Sequence, residues 1–198
     1  MASKFKSLLM NPLYIGIIVT VLVILFMFFI PDYSDIVIIA AYIFTICYII
    51  WLKDLDLIYA LILSFIFAVA WLIVGKSQYG YNRSFVVIAG YNIFPLLLWA
   101  IGLFGIYIIY NFIEKYFVKR GVIVKLFVYS SIFWVLLIFF ESLAYHVLHV
   151  RNAMTGNYPG LPLCECIHAP LWMQIVYLSM GPIYFLVLHM AQNYIVKH

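Results

Sequence analysis

The chain has 198 residues, of which 68% are hydrophobic and only 9% are charged, and its net charge is +4. Soluble domains carry roughly 25% charged residues, and a soluble fold of this length would have too little polar surface to face water. The composition therefore excludes an ordinary soluble domain and predicts a multi-pass integral membrane protein with one domain over residues 1–198. The positive residues form no run mixed with polar residues, so we expect membrane lipids, and not nucleic acid, as partners.

The apolar runs predict an all-α bundle, because a spanning helix needs about 20 mostly apolar residues to cross a core of about 30 Å. The first run ends at Pro31-Asp32. No small-x-small cleavage site follows it, so we expect a retained helix and not a signal peptide. In chain order the sequence predicts about six transmembrane helices, at residues 13–30, 36–52, 57–74, 93–112, 128–150 and 171–196.

The fourth apolar stretch is longer than one simple span. Gly90-Tyr91-Asn92 and then Pro95 interrupt it. Proline lacks a backbone donor and disfavours the helical region for the residue before it. Two interpretations are open at this point. One is a half-helix over residues 85–92 followed by a full helix, and the other is a single long, kinked helix.

The distribution of basic residues predicts the orientation. With six helices, eight of the eleven Lys and Arg residues fall on the side of the two termini, and only Lys76, Arg83 and Arg151 fall on the other side. Loops rich in Lys and Arg stay in the cytoplasm, so we expect both termini to be cytoplasmic. This orientation puts the two longest polar segments, 75–84 and 151–169, on the outer side.

The fifth predicted helix contains the most informative ionisable residue, Glu141. It precedes Arg151 by ten positions, which would place it about 15 Å below the outer end of a continuous helix. A carboxyl group at that depth marks function by default and suits a general acid. His146 and His149 follow and can share one broad helical face with Glu141, as base or orienting partner. A purely structural carboxyl and satisfied interior histidines are the competing interpretation.

Two thiols and an imidazole fall within five residues of the loop that follows, at Cys164, Cys166 and His168. Thiolates and imidazoles suit zinc or copper, and His146 or His149 would complete four ligands, although Cys-x-Cys-x-His is not a standard zinc spacing. A disulfide or free thiols on the outer side, or plain packing at a helix entry, are equally open. No other cofactor is indicated.

Polar and aromatic residues of the other outer segment are candidates for lining a substrate groove: Tyr79, Tyr81, Arg83, Tyr91 and Asn92. Tyr79-Gly80-Tyr81, together with Glu141, resembles the small polytopic enzymes of carotenoid biosynthesis, of the lycopene-cyclase and carotenoid-hydratase type. The tandem carboxylates that those cyclases carry after a proline are absent, since Leu96 follows Pro95. The resemblance implies a membrane enzyme acting on an isoprenoid.

Two functions follow from these residues. The first is an enzyme that uses acid/base chemistry on an isoprenoid or other lipid in the outer half of the bilayer, with Glu141 as the acid. The second is a non-catalytic subunit that binds a metal or cofactor within a larger complex, through Cys164, Cys166 and His168. Membrane-protein partners or a homo-oligomer would be compatible with either function.

Overall fold

The computed structural model describes residues 9–78, 80, 86–152 and 155–197. Its long elements are six α-helices, each long and apolar enough to cross a membrane. The prediction of an all-α polytopic bundle with six helices is therefore confirmed. The helices are α1 (Pro12–Phe29), α2 (Ser34–Leu52), α3 (Leu55–Gly75), α4 (Ile93–Glu114), α5 (Val122–Ser142) and α6 (Leu171–Lys197).

Local chemistry explains where the first helices begin. Pro12 occupies the first turn of α1, where its missing N–H costs nothing, and the Asn11 side chain accepts a hydrogen bond from the Leu13 N–H at 3.1 Å. The Asp54 carboxylate caps α3 in the same way, through the Leu57 N–H at 3.2 Å. Such caps satisfy backbone donors that a helix start leaves free, so these helices begin close to their predicted positions.

The bundle packs around α4, which contacts α1, α2, α3 and α5, while α6 packs against α3 and α5. Buried aromatic side chains fill the interior, and Tyr184 on α6 hydrogen-bonds the Ala60 carbonyl of α3 at 3.0 Å. The first helix buries only Met27 and exposes apolar side chains along its length. A soluble protein rarely exposes such a surface, whereas lipid covers it at no cost.

The two ends of the bundle differ in character. The end that we call the loop end carries the 3₁₀ turn Pro31–Tyr33 and the described residues 76–78, 80, 86–92, 143–152 and 155–170. The opposite end, where α1 begins and α6 ends, is the terminal end. Contacts between distant residues hold the loop end together. The Val86 N–H donates to Asp35 Oδ2 at 2.6 Å, and the Gly80 N–H donates to Asn152 Oδ1 at 3.4 Å.

The half-helix predicted over residues 85–92 is wrong for the described part, residues 86–92, and the single kinked helix is wrong as well. Instead, β1 (Val87–Ile88) pairs with β2 (Tyr91–Asn92) in a short antiparallel hairpin. Ala89 and Gly90 turn the chain with φ of 52° and 76°. Two consecutive left-handed residues reverse the chain direction, and a helix cannot contain them.

The prediction of a fifth helix over residues 128–150 is wrong at both ends. The helix α5 already begins at Val122, and its regular turns end at Ser142, where a π turn, Leu143–Val147, follows. His149 then adopts a left-handed φ of 53°, which no helix accommodates. Glu141 consequently lies six residues before the last helical residue, at a depth of about 9 Å instead of about 15 Å.

Candidate functional site

A polar cavity of about 40 Å³ lies at the loop end, between the end of α5, the start of α6 and the long loop that joins them. Its polar lining comes from Glu141, Tyr145, Asn152, His168 and Tyr177. Its apolar lining comes from Val150, Ile167 and Ala169. The cavity therefore combines a carboxyl group with two phenols, an amide and an imidazole.

Glu141 is the acidic group of this cavity, and it is partly buried. Within the described residues no group donates a hydrogen bond to its carboxylate, and no Lys or Arg forms an ion pair with it. Buried carboxylates are normally paired or hydrogen-bonded, because an isolated charge is costly in a low-dielectric environment. A carboxyl group without such partners is available for proton transfer to a ligand.

The π turn decides which side chains accompany Glu141. In this turn the Leu148 N–H donates to the Leu143 carbonyl, five residues earlier, at 2.9 Å. Because a regular α-helix uses a spacing of four, the side chains after Ser142 point in other directions than a continuous α-helix would give them. Tyr145 comes to line the cavity, whereas His146 is exposed and its Nε2 donates to the Cys164 carbonyl at 2.8 Å. His146 thus holds the loop in place and does not line the cavity.

His149, the second histidine predicted to share a face with Glu141, is also exposed and does not line the cavity. The predicted alignment of Glu141, His146 and His149 is therefore wrong, because it assumed a regular helix through residue 149. The imidazole that does accompany Glu141 belongs to His168, which the sequence suggested as a metal ligand.

His168 is fixed from two directions. Its Nδ1 lies 3.0 Å from the Tyr158 carbonyl and its Nε2 lies 2.9 Å from the Glu165 carbonyl. Carbonyl oxygens only accept, so a ring nitrogen that carries a proton donates it to the carbonyl that it faces. The ring also stacks on Tyr145, with centroids 4.6 Å apart. In this position His168 organises the loop.

The loop over the cavity is tightly folded. A Cβ atom on Gly160 would lie 2.9 Å from the Glu165 backbone carbon and 3.0 Å from His168 Nε2, so only glycine fits there without a shift. From α6, the Gln174 amide nitrogen reaches the carbonyls of Pro159, Ile167 and Ala169 at 3.1, 3.3 and 3.0 Å. One amide therefore ties both arms of the loop to the start of α6.

The two loop cysteines form a disulfide, Cys164–Cys166. Of the three interpretations open at the sequence level, the oxidised pair is the one found in the structure, and both thiolates needed for a zinc or copper site are consumed. Across the described ranges no group of three or more His, Cys, Asp and Glu side chains is arranged to hold a metal ion. Together with His168, these cysteines shape the loop.

The residues predicted to line a substrate groove divide into two sets. Tyr79, Tyr81 and Arg83 lie outside the described residues. Tyr91 and Asn92 form the second strand of the hairpin, where the Lys76 ammonium lies 4.2 Å from the Tyr91 ring centroid. Neither residue lines the cavity. The Gly80 N–H, however, donates to the cavity residue Asn152, so Gly80 lies near the rim.

Sequence reasoning missed two residues that organise this end. Asp35 is fully buried in the first turn of α2 and anchors the start of the hairpin through Val86. Its signal was present, since an acidic residue in a first helical turn next to a proline turn is typical of a helix start. Gln174, a lone amide early in an apolar span, was the other available signal.

The chain stands apart in comparisons with known proteins: no protein-family model, no curated protein and no solved structure matches it.

The size of the cavity limits its chemistry. The cavity measures about 40 Å³, and one water requires roughly 10–15 Å³, so about three waters fit. A whole lipid does not fit in this volume. Glu141 can give or take a proton there, while the phenols of Tyr145 and Tyr177 and the Asn152 amide can donate hydrogen bonds to a developing negative charge.

Proposed function

We propose that this protein is a membrane enzyme that transfers a proton between Glu141 and a lipid-dissolved substrate, an isoprenoid or another lipid, at the loop end of the bundle. The observation that carries the proposal is the Glu141 carboxyl group, which has no hydrogen-bond donor or cation among the described residues and lies in a cavity with four other polar side chains. The excess of Lys and Arg at the terminal end supports an orientation in which this cavity lies in the outer half of the bilayer.

Two features support proton transfer over a structural role for Glu141. Structural carboxyl groups in apolar surroundings acquire donors, since the loss of hydration is otherwise uncompensated. In addition, the neighbouring groups are held in place before any ligand arrives, because both ring nitrogens of His168 lie within 3.0 Å of backbone carbonyls and Tyr145 stacks on its ring. Preorganised dipoles around a proton carrier stabilise a transition state at little reorganisation cost.

The form of the substrate follows from the surroundings of the cavity. Only the reacting end of a molecule enters about 40 Å³, so the remainder lies outside, along apolar helix surfaces that face lipid. A long apolar molecule with one reactive terminus, such as an isoprenoid, satisfies both conditions. The resemblance of Glu141 and the Tyr-Gly-Tyr segment to carotenoid enzymes supports the same substrate class.

The alternative, a metal- or cofactor-binding subunit, receives no support from the described residues. Its ligand set needed the thiolates of Cys164 and Cys166, which are joined in a disulfide.

The experiment is a comparison of lipid extracts from cells that carry the gene and cells that lack it. We expect at least one isoprenoid or lipid species to differ. In cells that carry Glu141→Gln, which keeps the shape and removes the proton, the conversion should fall by about 100-fold or more, the contribution of a general acid or base.

The matched control is Glu114→Gln, which alters the other carboxyl group at a cavity edge but at the terminal end. It should leave the conversion within about twofold of wild type, as expected for a surface ion pair. Unchanged lipids in the Glu141→Gln strain, at equal protein level, would refute the proposal.

A further inference from the structure

The disulfide Cys164–Cys166 is unusual in what it connects. Its two cysteines are separated by one residue, and their Cα atoms are 5.1 Å apart. A disulfide stabilises a fold mainly by restricting the unfolded chain, and this effect grows with the length of the closed loop. A three-residue loop gains little from such a restriction. The bond therefore calls for an explanation other than stapling distant parts of the fold.

The two sulfur-bearing residues differ in access. Cys164 is partly exposed, and its neighbour Leu163 is 98% exposed, whereas Cys166 is completely buried. A thiolate that attacks a disulfide must reach one sulfur, and the other sulfur leaves. At this loop the accessible sulfur belongs to Cys164, so the buried sulfur of Cys166 would be the leaving group.

The backbone on both sides of Cys166 is held in an unfavourable conformation. Glu165 has φ of 45° and Ile167 has φ of 53°, and left-handed φ is particularly unfavourable for a β-branched residue. Such conformations persist only where the surroundings impose them, and they cluster at switch regions. Here the disulfide and the imidazoles bound to the Cys164 and Glu165 carbonyls impose them.

We propose that Cys164–Cys166 is a redox centre that exchanges with a dithiol substrate at the loop end. A thiolate of the dithiol attacks the sulfur of Cys164, the Cys164–Cys166 bond breaks, and Cys166 leaves as a thiolate that takes up a proton. The second thiolate of the dithiol then attacks its own partner sulfur in the mixed disulfide and releases Cys164. Two electrons and two protons pass from the dithiol to the cysteine pair, and a disulfide oxidant reverses the reaction.

The exchange has a structural consequence for the neighbouring cavity. Ile167, His168 and Ala169 follow Cys166 directly and line that cavity. Reduction removes one of the constraints on the left-handed residues, so this wall of the cavity gains freedom to rearrange. The redox proposal does not rest on proton transfer by Glu141, and each proposal is tested by a different readout.

The test uses the full chain in lipid nanodiscs with Cys47→Ser, which leaves the loop pair as the only thiols. The protein is incubated with dithiothreitol or with a reduced, unfolded protein dithiol, trapped with a maleimide and weighed intact. We expect two labels after reduction under native conditions, and none after reoxidation with glutathione disulfide. Labelling by dithiothreitol alone would identify a small dithiol as substrate, and labelling by both reagents would extend the class to proteins. A pair that both reagents leave unlabelled until the chain unfolds would overturn the proposal.

A second measurement checks which cysteine is attacked, in two variants that each retain one thiol. In the Cys47→Ser background, Cys166→Ser leaves Cys164 and Cys164→Ser leaves Cys166. We expect Cys164 to form a mixed disulfide with an aromatic disulfide reagent at least tenfold faster than Cys166. Equal rates in two variants with the same thermal transition would contradict the assigned direction of attack.

Discussion

The two ends of the bundle carry cavities with similar side chains and different pairing. The loop-end cavity has Glu141, His168 and Asn152 beside tyrosines, and the terminal-end cavity has Glu114, His189 and Gln192 beside Tyr107 and Tyr110. Glu114, however, forms an ion pair with Lys125 at 2.7 Å, and its cavity measures only about 10 Å³. Residue type alone therefore does not separate the two cavities. Within the part of the chain that the structure describes, the loop end differs because its carboxyl group has no ion-pair partner and its cavity is larger.

We expect the largest loss of stability from a substitution in the loop above the Glu141 cavity. In Gly160→Ala the new methyl group meets the Glu165 backbone and the His168 ring, so the loop has to shift. We expect a loss of about 1–3 kcal/mol in unfolding free energy, as for other overpacked sites, and a matching fall in conversion. Gly156→Ala is the control, since nothing lies within 4 Å of its added Cβ. Thermal unfolding of the two variants is followed by tryptophan fluorescence. Equal transition temperatures in the two variants would show that the loop is not packed as described.

The next effect concerns the anchor of that loop on α6. Gln174→Met keeps the length of the side chain and removes its hydrogen bonds to three loop carbonyls. We expect a loss of about 1–2 kcal/mol, because the site is partly buried and water can reach some of the freed carbonyls. Hydrogen exchange should rise in residues 157–169 and stay unchanged in α4. A uniform rise across the chain would assign the effect to the whole bundle instead.

The smallest effect is expected at the terminal end. Lys125→Gln removes the cation from Glu114, and both side chains of this pair are partly exposed. Such pairs contribute less than about 1 kcal/mol, so the thermal transition should hardly move. A large loss of stability would mean that the ion pair between Glu114 and Lys125 supports the fold. The terminal end would then not be the simple, weakly coupled counterpart of the loop end.

Composition and run length were sufficient to predict the fold. Six apolar runs separated by Pro31-Asp32, Lys53-Asp54 and the loop residues produced the six helices, because in lipid a helix satisfies its own backbone. The hairpin at 87–92 could not be predicted, since Ala89 gives no sign that it adopts a left-handed φ. The π turn after Ser142 was hidden for a similar reason, because residues 143–147 read as a continuation of α5.

The sequence singled out some of the residues at the loop-end cavity but not their arrangement. Glu141 was identifiable as an ionisable residue in an apolar run, and the Cys-Glu-Cys turn and His168 as polar features of one loop. Their arrangement depended on tertiary contacts: the π turn moves His146 onto the Cys164 carbonyl, and two backbone carbonyls hold His168 in place. A helical wheel contains neither contact, so it aligned Glu141 with His146 and His149, which do not line the cavity.

The central claim is that no described residue pairs with the Glu141 carboxyl group, which leaves it open to a ligand, whereas Glu114 is held by Lys125. The most direct test is labelling of the protein in lipid with a hydrophobic carbodiimide, followed by peptide mass spectrometry of both glutamates. We predict adducts at Glu141, few at Glu114, and a gain at Glu114 in Lys125→Gln. Equal labelling of the two glutamates in the wild-type protein, or labelling of Glu114 alone, would contradict the account.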